Sequence, residues 1–186
     1  VKMTALDEPD DNIKYSTPRF HITKFQLWGD GVSNITNVPL TSPYKAEDLP
    51  DLHYVQSPYS EKELVVVHPR FRPHKFFFDP SAGQYKFIPI DFINPPVQWS
   101  TNNYPAACSS YNGRLVLAGG QINPVLGDPI ASATETVWTT EVGAWDKFTL
   151  DEANPDDSVE FTTIFRSPIQ WVHGHKNLLI GSLEYE

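Results

Sequence analysis

The stretch "CSSYNGRLVLAGG" at residues 108–120 decides how this chain is read, because "WVHGHKNLLIGS" at 171–182 aligns with it without a gap. An Asn112-Gly113 pair between two apolar runs is a strong hairpin signal. A two-residue type I′ turn needs positive φ at both central positions, and Asn and Gly accept it. In the alignment Cys108 falls on Trp171, the Asn112-Gly113 turn on His175-Lys176, and Leu115, Val116 and Leu117 on Leu178, Leu179 and Ile180. A weaker third copy is "HYVQSPYSEKELVVVHP" at 53–69, with 64–67 as its second strand. Recurring strand-turn-strand units of this kind suggest blades of a β-propeller. Trp171, Leu179, Leu117 and Phe77 are then expected in the cores of successive blades.

Outward from these copies the β signals continue. "KFFF" at 75–78, the turn "PSAGQ" and the alternating "YKFIPIDF" at 85–92 extend the early copy into a meander. "ATETVWTTEVGAWDKFTL" at 133–150 reads as strand, Gly143 turn and strand, and "SVEFTTIF" at 158–165 follows. Upstream, "RFHITKFQLW", "GDG" and "VSNITNVPL" at 19–40 predict a hairpin. "SPYKAEDLPDL" at 42–52 predicts one or two helical turns, with Ser42 as N-cap, Pro43 at the first helical position and Pro50 as the stop. With 17 prolines, 10 glycines and 13% aromatic residues, the composition favours a turn-rich, mainly β core over helix or disorder.

The resulting expectation is a mainly β fold in which antiparallel meanders form blades of a β-propeller-like domain, incomplete in this chain. Residues 1–17, acidic and without periodicity, are expected to be a flexible N-terminal segment. Residues 18–186 form the propeller-like domain, with repeat units near 52–92, 104–150 and 168–186.

The charge pattern excludes some function classes. A formal net charge of −9 opposes a grip on nucleic acid, which needs clustered Lys and Arg to displace counterions. The local exception, "HPRFRPHK" at 68–75, is read as a solvated connection between strands because its prolines hold it extended. No apolar run approaches the ~20 residues of a membrane-spanning helix. Cys108, the single cysteine, sits in an apolar run and reads as a buried free thiol.

No motif assembles a catalytic centre. His173 and His175 fall at a hairpin turn in the repeat alignment, without a third ligand nearby, and His68 and His74 are likewise read as connection residues rather than metal ligands. "TTEVGAWDKF" at 139–148 looks like a relaxed Asp-box hairpin of sialidase-type propellers, with Glu141 in the acidic position, Gly143 at the turn and Trp145 packing beneath it. That motif is structural. Sialidase chemistry would need an arginine cluster, and Arg19, Arg70, Arg72, Arg114 and Arg166 are scattered. "LAGGQ" lacks the rest of a phosphate loop, and "GDGVSN" lacks the spacing of a calcium loop. No catalytic, cofactor-binding or metal-ligating residue is therefore expected, and the chain is not expected to be an enzyme.

The ordered run "SPYKAEDLPDLHYVQSPYSEKELVVVHPRFRPHKF", followed by "IDF" at 90–92, resembles the nozzle or tail tubular proteins of short-tailed bacteriophages. There a "TPY"-like turn, a "DLPDLRFVQS"-like turn of helix, an "LYIVHP" strand and a basic-proline "PPRKL" connection follow one another. Downstream, "YPAACSSYNGRLVLAGG", "TVWTTEVGAWDKFTL" and "SPIQWVHGHKNLLIGS" resemble the family's "YPRAVTFHQQRLVFAGT", "TVWMSKTGDFENF" and "NAIRWLVPLRDLLLGT". The likeness covers about residues 20–182, interrupted by the insertion "QINPVLGDPIAS", and implies a fragment or short relative. It also implies a structural virion protein of the phage tail. Such chains form hexameric rings with copies of themselves and neighbouring tail proteins, around a channel through which DNA passes without specific binding. The other reading left open by the sequence is a carbohydrate-binding or glycosidase-type propeller domain.

Overall fold

The structure is a computed structural model that describes residues 41–58, 63–99, 103–120, 134–149, 154–164 and 167–182. The hairpin expected at 19–40, the segment 1–17 and the insertion at 121–132 lie outside the described residues. The described chain is mainly β. Strands β1 (His53–Gln56), β2 (Glu63–His68), β3 (Phe71–Asp79) and β4 (Gln84–Pro89) form an antiparallel meander in sequential order. A second such meander holds β5 (Ala107–Tyr111), β6 (Arg114–Ala118), β7 (Thr136–Thr139) and β8 (Val159–Thr162). Strands β9 (Ile169–Gly174) and β10 (Leu178–Ser182) make a hairpin.

These sheets stack face to face because the strands β2, β6 and β7 are apolar on both faces. Along β6, Leu115 and Leu117 join Trp138 of β7 and Val65 and Val67 of β2 in one core, while Val116 and Ala118 face Ile169 and Val172 in another. The middle sheet is thus covered on both sides, which explains why "RLVLA" reads as a continuous apolar run. Each large side chain removed from water contributes about 1.5–3 kcal/mol, so the two inter-sheet layers supply most of the cohesion. The first strands of the three sheets also neighbour one another: β1 packs beside β5, and β5 beside β9. Contact at the second junction is close, with the Gly174 N–H donating to Ser109 Oγ at 2.9 Å. A Cβ at Gly174 would lie 2.0 Å from the Ser110 carbonyl oxygen.

As the Asn112-Gly113 pair predicts, a two-residue turn with φ of 48° and 75° joins β5 to β6. The corresponding turn of the last hairpin differs. Gly174 pairs with Leu178, so three residues, 175–177, make the connection where the alignment allowed two. One extra residue reverses the facing of β9. Strand β10 keeps the repeat, with Leu178 and Ile180 packed inward, whereas Ile169 and Val172 of β9 take the inward places and Trp171 turns out. Trp171 is 39% exposed and Leu179 51% exposed, so neither is the core residue expected, while Leu117 is fully buried and Phe77 half-buried.

Three further expectations are corrected. Arg72, Pro73, His74 and Lys75, read as a solvated connection, lie in β3. Proline is tolerated there because the β2–β3 register shifts between Val66 and His68, and at such an irregularity a missing N–H breaks no ladder bond. The helical turn is a 3₁₀ turn, Ala46–Asp51, whose N-cap is Lys45 rather than Ser42 and which contains Pro50 instead of stopping before it. Ser42 Oγ instead accepts the Tyr44 N–H at 3.2 Å. Finally, the segment after the Gly143 turn does not return along β7. Lys147 bridges Ile93 in parallel, and the strand paired with β7 is β8.

Buried polar ties complete the frame. Arg114, whose side chain is buried at the start of β6, donates to the carbonyls of Thr140 (2.8 Å), Asp157 (2.5 Å) and Pro155 (2.6 Å). It fastens the connection before β8 to the middle sheet.

Candidate functional site

A largely buried grouping of ionisable side chains lies where the 3₁₀ turn meets the outer face of the first sheet. Tyr44 enters just before the turn, Asp48 sits within it, and His68, Arg70 and His74 come from β2, the following turn and β3. The placement follows from local sequence. The acidic residue three positions after Lys45 lets the Asp48 carboxylate cap the turn, and Oδ2 accepts the Lys45 N–H at 2.7 Å. That geometry aims Oδ1 inward, where it pairs with the Arg70 guanidinium. Asp48 is almost wholly buried, and an isolated carboxylate there would be costly, so the cation and the backbone donor are what make the burial tolerable.

His68 is fully buried beside this pair. Its Nδ1 accepts the Arg70 N–H at 3.1 Å, which puts the ring proton on Nε2. Nε2 faces Asp48 Oδ1 at 3.9 Å, beyond hydrogen-bond reach, and has no hydrogen-bond partner among the described residues. Burial pushes the His68 pKa down, and the negative field of Asp51 opposes that only in part. On the other side, His74 Nδ1 lies 2.6 Å from the Arg72 carbonyl and 3.5 Å from the Tyr44 hydroxyl. The His74 ring stacks on Phe87. Its pKa is also lowered, first by burial, with the Arg72 carbonyl bond working the other way. Tyr44 is held in its neutral phenol form by burial.

This arrangement ties segments together: His68 has no exposed surface, and its ring lies against Asp48, Tyr44 and Phe71. Its mechanical role is to seat Tyr44 and the 3₁₀ turn on Leu64, Val66 and Phe76, closing the outer face of the first sheet.

Other sequence candidates are dispersed. His173 is an exposed residue of β9 and His175 opens the connection to β10, so the turn reading holds for His175 alone. His68 and His74 are buried strand residues rather than members of a loop. The basic residues are engaged: Arg72 pairs with Asp91 at 2.9 Å, and Lys75 lies over the Phe77 ring, 5.2 Å from its centroid. In the Asp-box-like stretch, Gly143 has φ of 79° and donates its N–H to the Gly113 carbonyl at 2.9 Å. Trp145 packs against the first inter-sheet core as expected. Glu141, held below the usual carboxylate range by hydrogen bonds from Thr149 and then Lys147, closes the loop. No group of three or more potential metal ligands occurs among the described residues. Cys108 is buried, which pushes its thiol pKa far up.

Sequence reasoning missed the polar cluster because it examined the histidines for metal spacing and not for pairing with Asp48. The signal was present in the alternation of "ELVVVHPR", which places His68 on the same face as Leu64 and Val66, where burial favours the neutral ring. No family model matches the chain, and no curated protein matches it.

Proposed function

We propose that this chain is a structural component of a short-tailed bacteriophage tail, part of a propeller-like domain in the ring-shaped nozzle through which DNA leaves the virion. The observation that carries the propeller reading is the adjacency of β1, β5 and β9 while their sheets stack face to face. Consecutive blades of a propeller have that relation: innermost strands gathered about an axis, outer strands splayed. The ordered resemblance described above carries the assignment from that fold to a tail protein.

The chemistry is compatible with a passive wall. The chain's net charge of −9 repels phosphate, and the strand that holds its basic residues commits Arg72 to Asp91. A duplex would meet no array of free cations there, so it could slide without being held.

Electron microscopy and mass measurement of the full-length protein test this reading. Closed rings with a central channel are the expected result. A monomer that binds glycans would favour the carbohydrate-binding alternative and overturn it. A duplex-DNA titration at two salt concentrations gives a second check. Binding is expected to be weak and lost as salt rises. Tight binding that survives high salt and falls in Arg72→Ala or Lys75→Ala would mean a specific grip.

A further inference from the structure

We infer that Asp48, His68 and Arg70 form an acid-sensitive latch that holds the 3₁₀ turn and Tyr44 over the apolar outer face of the first sheet. The geometry distinguishes His68 from an ordinary buried histidine. Among the described residues its one hydrogen bond is accepted at Nδ1 from the Arg70 N–H, and Nε2 already bears the ring proton. A second proton must therefore go to Nδ1. There it would meet the Arg70 N–H donor head-on, and the ring would have to swing or the 69–70 turn withdraw. Either movement pulls Arg70 from Asp48. Asp48 then exchanges a bonded guanidinium for an imidazolium 3.9 Å away, beyond hydrogen-bond reach, a poorer compensation for a buried carboxylate, so the 3₁₀ turn loosens with it.

The groups around the ring fix the direction of the response. From the 3₁₀ turn, Asp48 and Asp51 favour the imidazolium, and from the 69–70 turn Arg70 opposes it. From β3, the uncharged Phe71 ring lies 5.0 Å from the His68 ring, and Tyr44 separates it from His74. Strand β1 contributes His53, opposite Val67 in register, itself disfavoured as a cation by burial. Burial outweighs the field of Asp51, so the closed latch binds its proton less readily than an opened one. His74 is also lowered by burial, but its Nδ1 sits against the Arg72 carbonyl, a contact that a charged ring would keep, so its protonation does not act on the Arg70–Asp48 pair.

The sign is that of a depressed histidine. The latch is fully closed above about pH 6.5 and loosens as pH falls from there towards the lower pKa of the closed form. Within that window the opening equilibrium rises by up to about tenfold per pH unit.

Hydrogen exchange of the full chain, followed by mass spectrometry between pH 7.5 and 5 and corrected for intrinsic exchange, reads the latch directly. The amides of Asp48 and Leu52, bonded to the Lys45 and Leu49 carbonyls, should lose protection on acidification while those of β6 keep theirs. His68→Asn retains an acceptor for the Arg70 N–H and removes the titration, so its 3₁₀ turn should stay protected at pH 5. Equal protection at both pH values in the wild-type chain would overturn the proposal, as would an undiminished acid response in His68→Asn. Should that variant fail to fold, His74→Gln decides in its place: a retained acid response supports His68 as the trigger, and a lost one refutes it.

Discussion

Replacing Gly174 by Ala tests the junction on which the stacked architecture rests. The backbone at Gly174 is not in the left-handed region, so alanine can adopt its conformation and the cost is steric. The added Cβ would sit 2.0 Å from the Ser110 carbonyl oxygen and 2.9 Å from its carbon, both backbone atoms that cannot rotate away. Strand β9 must then retreat from β5 by more than an ångström, which also breaks the 2.9 Å bond from the Gly174 N–H to Ser109 Oγ. Overpacking of this kind costs about 1–3 kcal/mol. The lost hydrogen bond adds about 0.5–1.5. Restricting the unfolded chain returns roughly 0.4–1. The net expectation is a destabilisation of about 0.5–4 kcal/mol, read by urea unfolding of both proteins under one buffer. Gly83→Ala serves as a control of a different kind. It lies in the open β3–β4 turn at φ of 63° with nothing near its missing Cβ, so its cost is conformational and leaves the junction intact. A Gly174→Ala chain within about 0.5 kcal/mol of the wild type, beyond the scatter of distant surface changes, would refute the close approach of β9 to β5.

Three other outcomes follow from the same packing. Leu117→Ala should lose about 2–5 kcal/mol, and Leu179→Ala on the exposed side of β10 less than about 1, when chemical denaturation curves of the two are compared. Arg114→Met should destabilise by about 3–5 kcal/mol, since it strands three carbonyls, and should raise proteolytic cleavage in the 154–158 connection before any other described site. Cys108 in the native chain should resist a thiol reagent at pH 8 and react at once in denaturant, because burial both hides the sulfur and raises its pKa; prompt native labelling, followed by absorbance, would contradict its place in the core.

Local chemistry was legible where a few adjacent residues determine it. Asn112-Gly113 dictated a two-residue hairpin turn, and the apolar runs at 63–68 and 114–118 dictated strands. Register was not legible in the same way. Nothing within "WVHGHKNLLIGS" distinguishes a two-residue from a three-residue connection, yet that single residue decides whether Trp171 or Val172 faces the neighbouring sheet. The choice is made by packing against β5 and β6, residues some sixty positions earlier, as the 65-residue separation of Gly174 and Ser109 shows. Pro73 illustrates the converse. Its local signal argues against a strand, and tertiary pairing overrides it by placing the proline at a register shift where no N–H is required. The polar cluster belongs to the same class. Asp48 and Arg70 are 22 residues apart, and only the folding of the 3₁₀ turn onto the first sheet brings them together with His68. By itself the sequence determined the mainly β character, the positions of most strands and the buried thiol, because propensity and turn chemistry act over a few residues. The facing of β9, the accommodation of Pro73 and the burial of an ion pair were decided by tertiary structure, because each depends on free energy shared between segments distant along the chain.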